Sequence, residues 1–279
     1  MLVYVAVIMS VYVKELPELF ARAVESILAQ EVNNGIGVRL YLGVDGPVGP
    51  ELDQMIKLYE DRIYKTIRFE KNRGLAPVLN DLILALEDEE FVFRMDTDDV
   101  SYKNRFQRQL KFLDEHPNVD ILGTSIVEVV EGLDSRRVVH FSRESERSVR
   151  RYIARGVPVA HPTVCFRRSV FKKIGGYPVV RNNEDIALWF LCLRNGLVFE
   201  NLREPLYEFT VNKDFLCRRG FDKAFTEFIV YSKGIWLLHG FTVDYFFPLA
   251  RFVLRLLPRS VQEVAYGSRL RPREILKDV

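Results

Sequence analysis

The sequence predicts an α/β fold, with a doubly wound, mostly parallel sheet in the N-terminal half joined to a mixed half. Three observations carry this expectation. Short β-branched runs lack polar alternation, amphipathic segments alternate with them, and polar residues able to do chemistry follow each run directly.

Residues 2–9 (LVYVAVIM) form the first run and suit a parallel strand covered on both faces. Pro17 then opens a helix on which Leu19, Phe20, Ala23, Val24, Ile27 and Leu28 share one face. Val38–Val44 is a second strand, stopped by the turn signal Asp45-Gly46-Pro47. Residues 51–62 read as a helix and Lys65–Glu70 as a third strand. Leu75, Val78, Leu79, Leu82, Ile83 and Leu86 place a helix over Leu75–Leu86, before a fourth strand at Phe91–Met95 and a helix at Tyr102–Glu115. Longer, irregular strands follow at Val119–Val130, Arg137–Phe141 and Val159–Phe166, then a helix from about Asn183 to Asn195 stopped by Gly196. Ligands of parallel sheets bind beyond the carboxyl ends of the strands. Ser10-Val11-Tyr12, Asp45-Gly46, Lys71–Gly74 and Asp96–Asp99 are therefore expected to converge on one cleft.

The 279 residues are 48% hydrophobic and 28% charged, a globular balance that excludes disordered, collagenous and coiled-coil chains. Lys and Arg number 40 against 38 Asp and Glu, which argues against a dedicated nucleic-acid binder. Seven basic and three acidic residues lie in Arg251–Val279, however, so the tail is basic. Composition shifts to aromatic and basic residues after 211, dividing the chain into a body of residues 1–210 and an extension of residues 211–279. In that extension, Arg251, Arg255 and Arg259 recur every four residues beside an apolar face, the pattern of an amphipathic helix lying on an anionic membrane surface. The alternative is a helical pair packed on the body with its arginines in solvent. Asp244, Arg251 and Arg255 interrupt the apolar run and argue against a bilayer span. The apolar N-terminus lacks a basic n-region and a cleavage site, so it reads as a strand rather than a leader. Cys165, Cys192 and Cys217 have neither zinc nor disulfide spacing, which suits a reducing, cytoplasmic compartment.

Asp96, Asp98 and Asp99 directly follow a buried strand, where like charges repel unless a cation sits among them. Oxygen ligands at this density suit Mn²⁺ or Mg²⁺; the competing reading is an acidic turn capping the next helix. Glu184-Asp185 open a helix whose free amides stabilise an anion, although acids are common at helix starts. Asp45-Gly46 could be only a turn and Arg73 only a surface cation. Gly35-x-Gly37 lacks a third glycine and precedes a strand, so no dinucleotide fingerprint is present.

The order Val-Ile-Met-Ser-Val-Tyr, Val-Asp-Gly, Asn-Arg-Gly-Leu-Ala-(x)₃-Asn ending at Asn80, Met-Asp-Thr-Asp-Asp and Asn183-Glu184-Asp185-(x)₃-Trp189 resembles the family 2 glycosyltransferases of the GT-A fold. The resemblance covers about residues 3–210. It implies a Rossmann-like catalytic domain in which Ser10 and Tyr12 line the nucleotide pocket, Asp45 hydrogen-bonds the base, commonly uracil, and Arg73 flanks the base or diphosphate. Asp96 and Asp98 would form the DxD element, Asp98 being the direct metal ligand, with Asp99 sharing that role. The catalytic base falls on Asp185, with Glu184 as competitor or acceptor contact. His161 would face the donor diphosphate or the acceptor, or else be satisfied in the turn before Pro162; Asn80 reads as a structural residue bonding to the first loop. The reaction implied is inverting, metal-dependent transfer of a hexose from a nucleoside diphosphate sugar, expected to be a UDP-sugar. The acceptor would be a glycan or an undecaprenyl-diphosphate-linked saccharide in bacterial surface polysaccharide assembly, at the inner face of the cytoplasmic membrane. Two other classes compete: a glycoside hydrolase using paired carboxylates, which needs neither nucleotide nor metal, and a non-catalytic nucleotide-sugar binder at the membrane surface.

Overall fold

The N-terminal run forms β1 (Val3–Val11), buried from Val5 to Met9 because it lies between two strands and under helices on both faces. The computed structural model describes residues 3–33, 35–130, 136–211, 221–257 and 273–275. After α1 (Pro17–Leu28), β2 (Ile36–Val44) pairs with β1 in parallel. Next come α2 (Pro50–Leu58), β3 (Lys65–Arg68), α3 (Leu75–Leu84) and β4 (Phe91–Met95); β3 joins β2 and β4 joins β1, both in parallel. Strand alternation splits the core. Val5, Val7 and Met9 pack with Phe20 and Val24 of α1, while Ala6 and Ile8 pack with Leu79 and Leu82 of α3. Each large side chain so buried contributes roughly 1.5–3 kcal/mol.

The mixed half begins with β5 (Val100–Ser101) and α4 (Arg105–Glu115), then β6 (Ile121–Val130), β7 (Arg136–His140), α5 (Glu146–Tyr152), β8 (Cys165–Arg167), α6 (Ser169–Ile174), α7 (Glu184–Arg194) and β9 (Phe199–Val211). β8 lies between β4 and β6, antiparallel to both, and β9 runs parallel to β6 over its whole length while also pairing, near its end, with β5. That last pairing brings the end of β9 to the loop after β4. Three expectations change. The strand expected at Val159–Phe166 shrinks to β8, because Pro158 and Pro162 offer no N–H to a ladder and His161–Thr163 forms a 3-10 turn instead. The helix expected over 51–62 stops at Leu58 and continues as a 3-10 turn at Glu60–Arg62. β9, α5 and α6 stand where the sequence suggested no element.

α8 (Phe221–His239) packs on α7, and α9 (Phe246–Leu256) on α8; β10 (Arg273–Ile275) adds an edge strand to β7. Gly234 permits the close approach of α8, since a Cβ there would lie 2.2 Å from the Phe190 ring. The arginines of α9, expected outside, face inward. Arg255 NH1 lies 2.5 Å and Arg251 Nε 3.4 Å from the two oxygens of Glu227 on α8, and Arg251 also covers the Tyr231 ring at 3.9 Å. Arg259 lies outside the described residues. The solvent face of α9 is instead Phe246, Leu249, Ala250, Val253 and Leu256, all exposed and all apolar. Among the described residues no helix is long and apolar enough to cross a membrane.

Candidate active site

The loops after β1, β2 and β3 are joined through Asp45. Its N–H donates to the carbonyl of Val11 at 2.8 Å, while its carboxylate accepts from the N–H groups of Arg73 at 2.6 Å and Gly74 at 2.9 Å. Gly46, at φ 84°, lets the loops touch: a Cβ would sit 2.6 Å from the amide nitrogen of Asn72. Asp45 is thus more than a turn residue, since it holds the loop that presents Arg73. Arg73 itself reaches Asp81 at 2.5 Å and stacks over Phe69 at 4.8 Å. Ser10 near the end of β1 and Tyr12 just after it are both partly buried, on either side of Val11, whose carbonyl meets Asp45. Asp45→Ala is expected to cost about 1–3 kcal/mol of stability without nucleotide, because two amides lose their acceptor. Urea unfolding checks this, and unchanged stability would restrict Asp45 to ligand contact.

Asp96, Asp98 and Asp99 offer carboxylate oxygens that all lie within 4.8 Å of one another. Asp99 is fully buried; one oxygen accepts from the N–H of Thr210 on β9 at 2.8 Å, and the other, with the Tyr207 hydroxyl near, completes no hydrogen bond of good geometry. Burial, with the charges of Asp96 and Asp98 beside it, pushes the Asp99 carboxyl well above the usual carboxylate range. An all-oxygen cluster of repelling carboxylates with an under-bonded buried oxygen fits a divalent cation. The capping alternative fails. α4 starts only at Arg105, and Gln30 serves its N-terminus, its Oε1 accepting from the Phe106 N–H at 3.1 Å. Arg22 fixes the turn by donating to the Asp98 carbonyl at 3.2 Å and to Thr210 Oγ1 at 3.0 Å.

Glu184 and Asp185 occupy the first turn of α7, preceded by Asn182 (φ 62°) and Asn183 (φ 58°). These are the non-glycine residues with left-handed backbone among the described residues, and such strain gathers at functional sites. Burial pushes the Asp185 carboxyl up, with the Glu184 charge adding to it, to about 6. His161 is nearly buried, its Nε2 2.9 Å from the Tyr177 hydroxyl and its ring edge-on to Trp189 at 5.8 Å. Burial and then the Arg94 charge hold His161 well below its ordinary value, so it is neutral at pH 7. Asn80 does not bond to the first loop as expected. Its Oδ1 accepts from the Tyr177 N–H at 2.7 Å and its Nδ2 donates to the Tyr177 carbonyl at 3.0 Å, which positions the phenol that meets His161.

The residue the sequence reading passed over is Arg94, on β4 between the two carboxylate groups. It pairs with Asp96, and its charge acts on Asp185, His161, Tyr177 and Tyr207. A charge inside the apolar strand Phe91–Met95 was the available signal. Tyr207 was missed too; its hydroxyl accepts from the Asp96 N–H at 3.2 Å.

Glycosyl transferase family 2, as a family model, matches residues 6–175. An uncharacterized glycosyltransferase of Haemophilus influenzae is 30% identical over 269 residues, covering 95% of this chain and 98% of its own. The UDP-Gal:alpha-D-GlcNAc-diphosphoundecaprenol beta-1,3-galactosyltransferase of Escherichia coli is 29% identical over 275 residues, covering 95% and 96%. Among solved structures, residues 1–349 of S. aureus TarS in complex with UDP-GlcNAc superpose with a TM-score of 0.67 at 18% identity, over 95% of this chain and 76% of that one.

Proposed function

The chain belongs to glycosyl transferase family 2 and is a glycosyltransferase, and on that premise we propose that it transfers a hexose, with inversion, from a UDP-sugar to a lipid-linked saccharide in bacterial surface polysaccharide assembly. Family membership replaces the hydrolase and the non-catalytic readings. The observation that carries the proposal is the carboxylate cluster after β4 set against Asp185 at the start of α7, with Arg94 between them. The donor and acceptor classes follow those in the name of the E. coli relative, which matches nearly the whole chain.

Ser10, Tyr12, Asp45 and Arg73 take the nucleotide at the ends of β1 and β2. Asp45 already accepts two amides, and a carboxylate keeps lone pairs for a base N–H as well. Asp96, Asp98 and Asp99 would hold Mn²⁺ or Mg²⁺. Such a cation, when bound, neutralises the charge that develops on the leaving diphosphate. Asp185 accepts the proton of the acceptor hydroxyl as that oxygen bonds to the anomeric carbon, opposite the departing diphosphate. Displacement from the opposite side inverts the centre. A carboxyl raised to about 6 is a stronger base than an ordinary carboxylate and is still ionised at neutral pH. Glu184 keeps that value up and is placed to meet the acceptor; neutral His161 forms the wall behind. The reading is tested by supplying UDP-sugars, Mn²⁺ and an undecaprenyl-diphosphate saccharide, then reading UDP release and the anomeric configuration of the product by NMR. Retention, or transfer that ignores the nucleotide, would sink it.

Peripheral attachment to the inner face of the cytoplasmic membrane belongs to the same proposal. The apolar face of α9, with the exposed Trp236, Phe241 and Val243 nearby in the chain, suits the bilayer interface. Exposed Arg151 and Arg155 give a basic rim, Arg155 lying 4.9 Å over Phe247. Because Arg251 and Arg255 are committed to Glu227, apolar area dominates. Leu249→Glu with Val253→Glu is expected to weaken binding to phosphatidylglycerol-containing vesicles by about ten-fold or more, while 0.5 M salt, roughly twenty-fold above the ionic strength of a dilute buffer, weakens the wild type much less. Co-sedimentation measures both, and wild-type binding abolished by salt would point to a purely electrostatic contact.

A further inference from the structure

Arg94 is 3% exposed, and its main chain is fixed: its N–H donates to the Val164 carbonyl at 3.0 Å and its carbonyl accepts from Arg105 NH2 at 3.1 Å. One terminal nitrogen of the guanidinium pairs with Asp96. Nε and the other terminal nitrogen are buried and meet no acceptor in the protein. Arginine cannot shed its proton, so these donors stay unsatisfied unless something else binds them. Unpartnered buried donors are rare because the desolvation penalty is not recovered.

Their position identifies the acceptor. Strand alternation puts Arg94 on the same face of β4 as Val92, which packs with Trp189 of α7, the helix that begins with Glu184 and Asp185. In a single displacement the anomeric carbon lies between the leaving diphosphate and the base. The transferred hexose therefore occupies the span from the aspartate cluster to Asp185, and that span contains Arg94. A second anion is a poor occupant, because Asp96 already balances the guanidinium and Asp99 and Asp185 stand nearby. Neutral hydroxyl oxygens are good ones.

We propose that Arg94 is a donor-sugar residue, with its free Nε–H and terminal N–H groups donating to hydroxyl oxygens of the hexose of the nucleoside diphosphate sugar. The assignment rests on the donor-site reading above. It makes Arg94 a contributor to sugar selectivity, since a site built to hydrogen-bond a hydroxyl rejects sugars that lack it or present it elsewhere.

The test compares UDP with UDP-galactose and UDP-GlcNAc by calorimetric titration in Mn²⁺, for wild type, Arg94→Lys and Arg94→Gln. The ratio of the Kd for the better-bound UDP-sugar to the Kd for UDP is expected to rise about ten-fold or more in both variants, over and above the loss of UDP affinity that unpairing Asp96 brings to both ligands. Equal losses for UDP and UDP-sugar would make Arg94 only a support for Asp96 and overturn the assignment; no loss for either would overturn it too. Should neither variant fold, the wild type still answers through the ¹⁵N spectrum of arginine Nε–H groups. Replacing UDP by UDP-sugar should shift a slowly exchanging, buried Nε–H signal, and unmoved buried signals would overturn the proposal. Wild type that binds no UDP would overturn the donor-site reading itself, a failure distinct from these.

Discussion

Asp185→Asn is expected to slow glycosyl transfer by about 10²–10⁴-fold, to leave UDP-sugar binding nearly unchanged, and to raise the melting temperature above pH 6. The first two effects follow from its role, since amide nitrogen and oxygen fill the same space but cannot take a proton. The third follows from electrostatics. Burial and Glu184 raise the native carboxyl from 3.8 to about 6, so the folded protein disfavours the ionised form more than the unfolded chain does. That contribution is fully present below pH 4 and is lost as pH rises through about 6. A neutral asparagine never incurs the cost, so its gain over wild type should be seen at pH 8 and be absent at pH 4. The same value sets the acid limb of the wild-type pH profile: kcat should fall as pH drops through about 6. Glu184→Gln removes a charge that raises Asp185, so it should move that limb to lower pH while retaining far more activity than Asp185→Asn. Equal losses of rate and donor affinity in Asp185→Asn would instead assign Asp185 to binding.

What could be read from the sequence was whatever depends on neighbours along the chain. The parallel half was legible because β1, β2 and β4 are apolar runs and α1 and α3 carry clear stripes. The chemistry after each strand was legible because a parallel sheet places those residues at one edge. What required the third dimension was direction. Arg251 and Arg255 share a helical stripe in any reading, but partners distant along the chain, Glu227 and Tyr231 on α8 and the Arg155 carbonyl, turn that stripe inward and the apolar one outward. Asn80 was recognised as structural, yet its partner Tyr177 lies 97 residues on. Asp99 needs Thr210 from β9, more than a hundred residues on, where β9 is held between β6 and the short β5. Arg94 was visible as a charge in a buried strand, but nothing local distinguishes a guanidinium fully paired from one with two donors left over.

Asp98→Ala is expected to abolish the metal dependence of UDP binding, weakening UDP in Mn²⁺ by about 100-fold or more, since even outer partners of a metal site are worth 10–100-fold in affinity. The same cluster predicts a paired effect on stability. Three carboxylates within 4.8 Å, one of them buried with an under-bonded oxygen, repel one another whenever no cation lies among them. Mn²⁺ alone should therefore stabilise the wild type, by about 2.7 kcal/mol at 100 times its Kd, or several degrees in Tm for a chain of this size. Asp98→Ala removes one of the charges that push Asp99 up. Without metal the variant should therefore melt no lower than wild type, and added Mn²⁺ should no longer raise its Tm. A protein merely damaged by the substitution would melt lower in both conditions, so the two scans separate loss of a ligand from loss of fold. UDP binding that is equal in Mn²⁺ and in chelator, together with a wild-type Tm indifferent to Mn²⁺, would remove the cation from the reaction. The leaving diphosphate would then have to be balanced by the chain's own cations, Arg73 in the loop after β3 being one at this edge of the sheet.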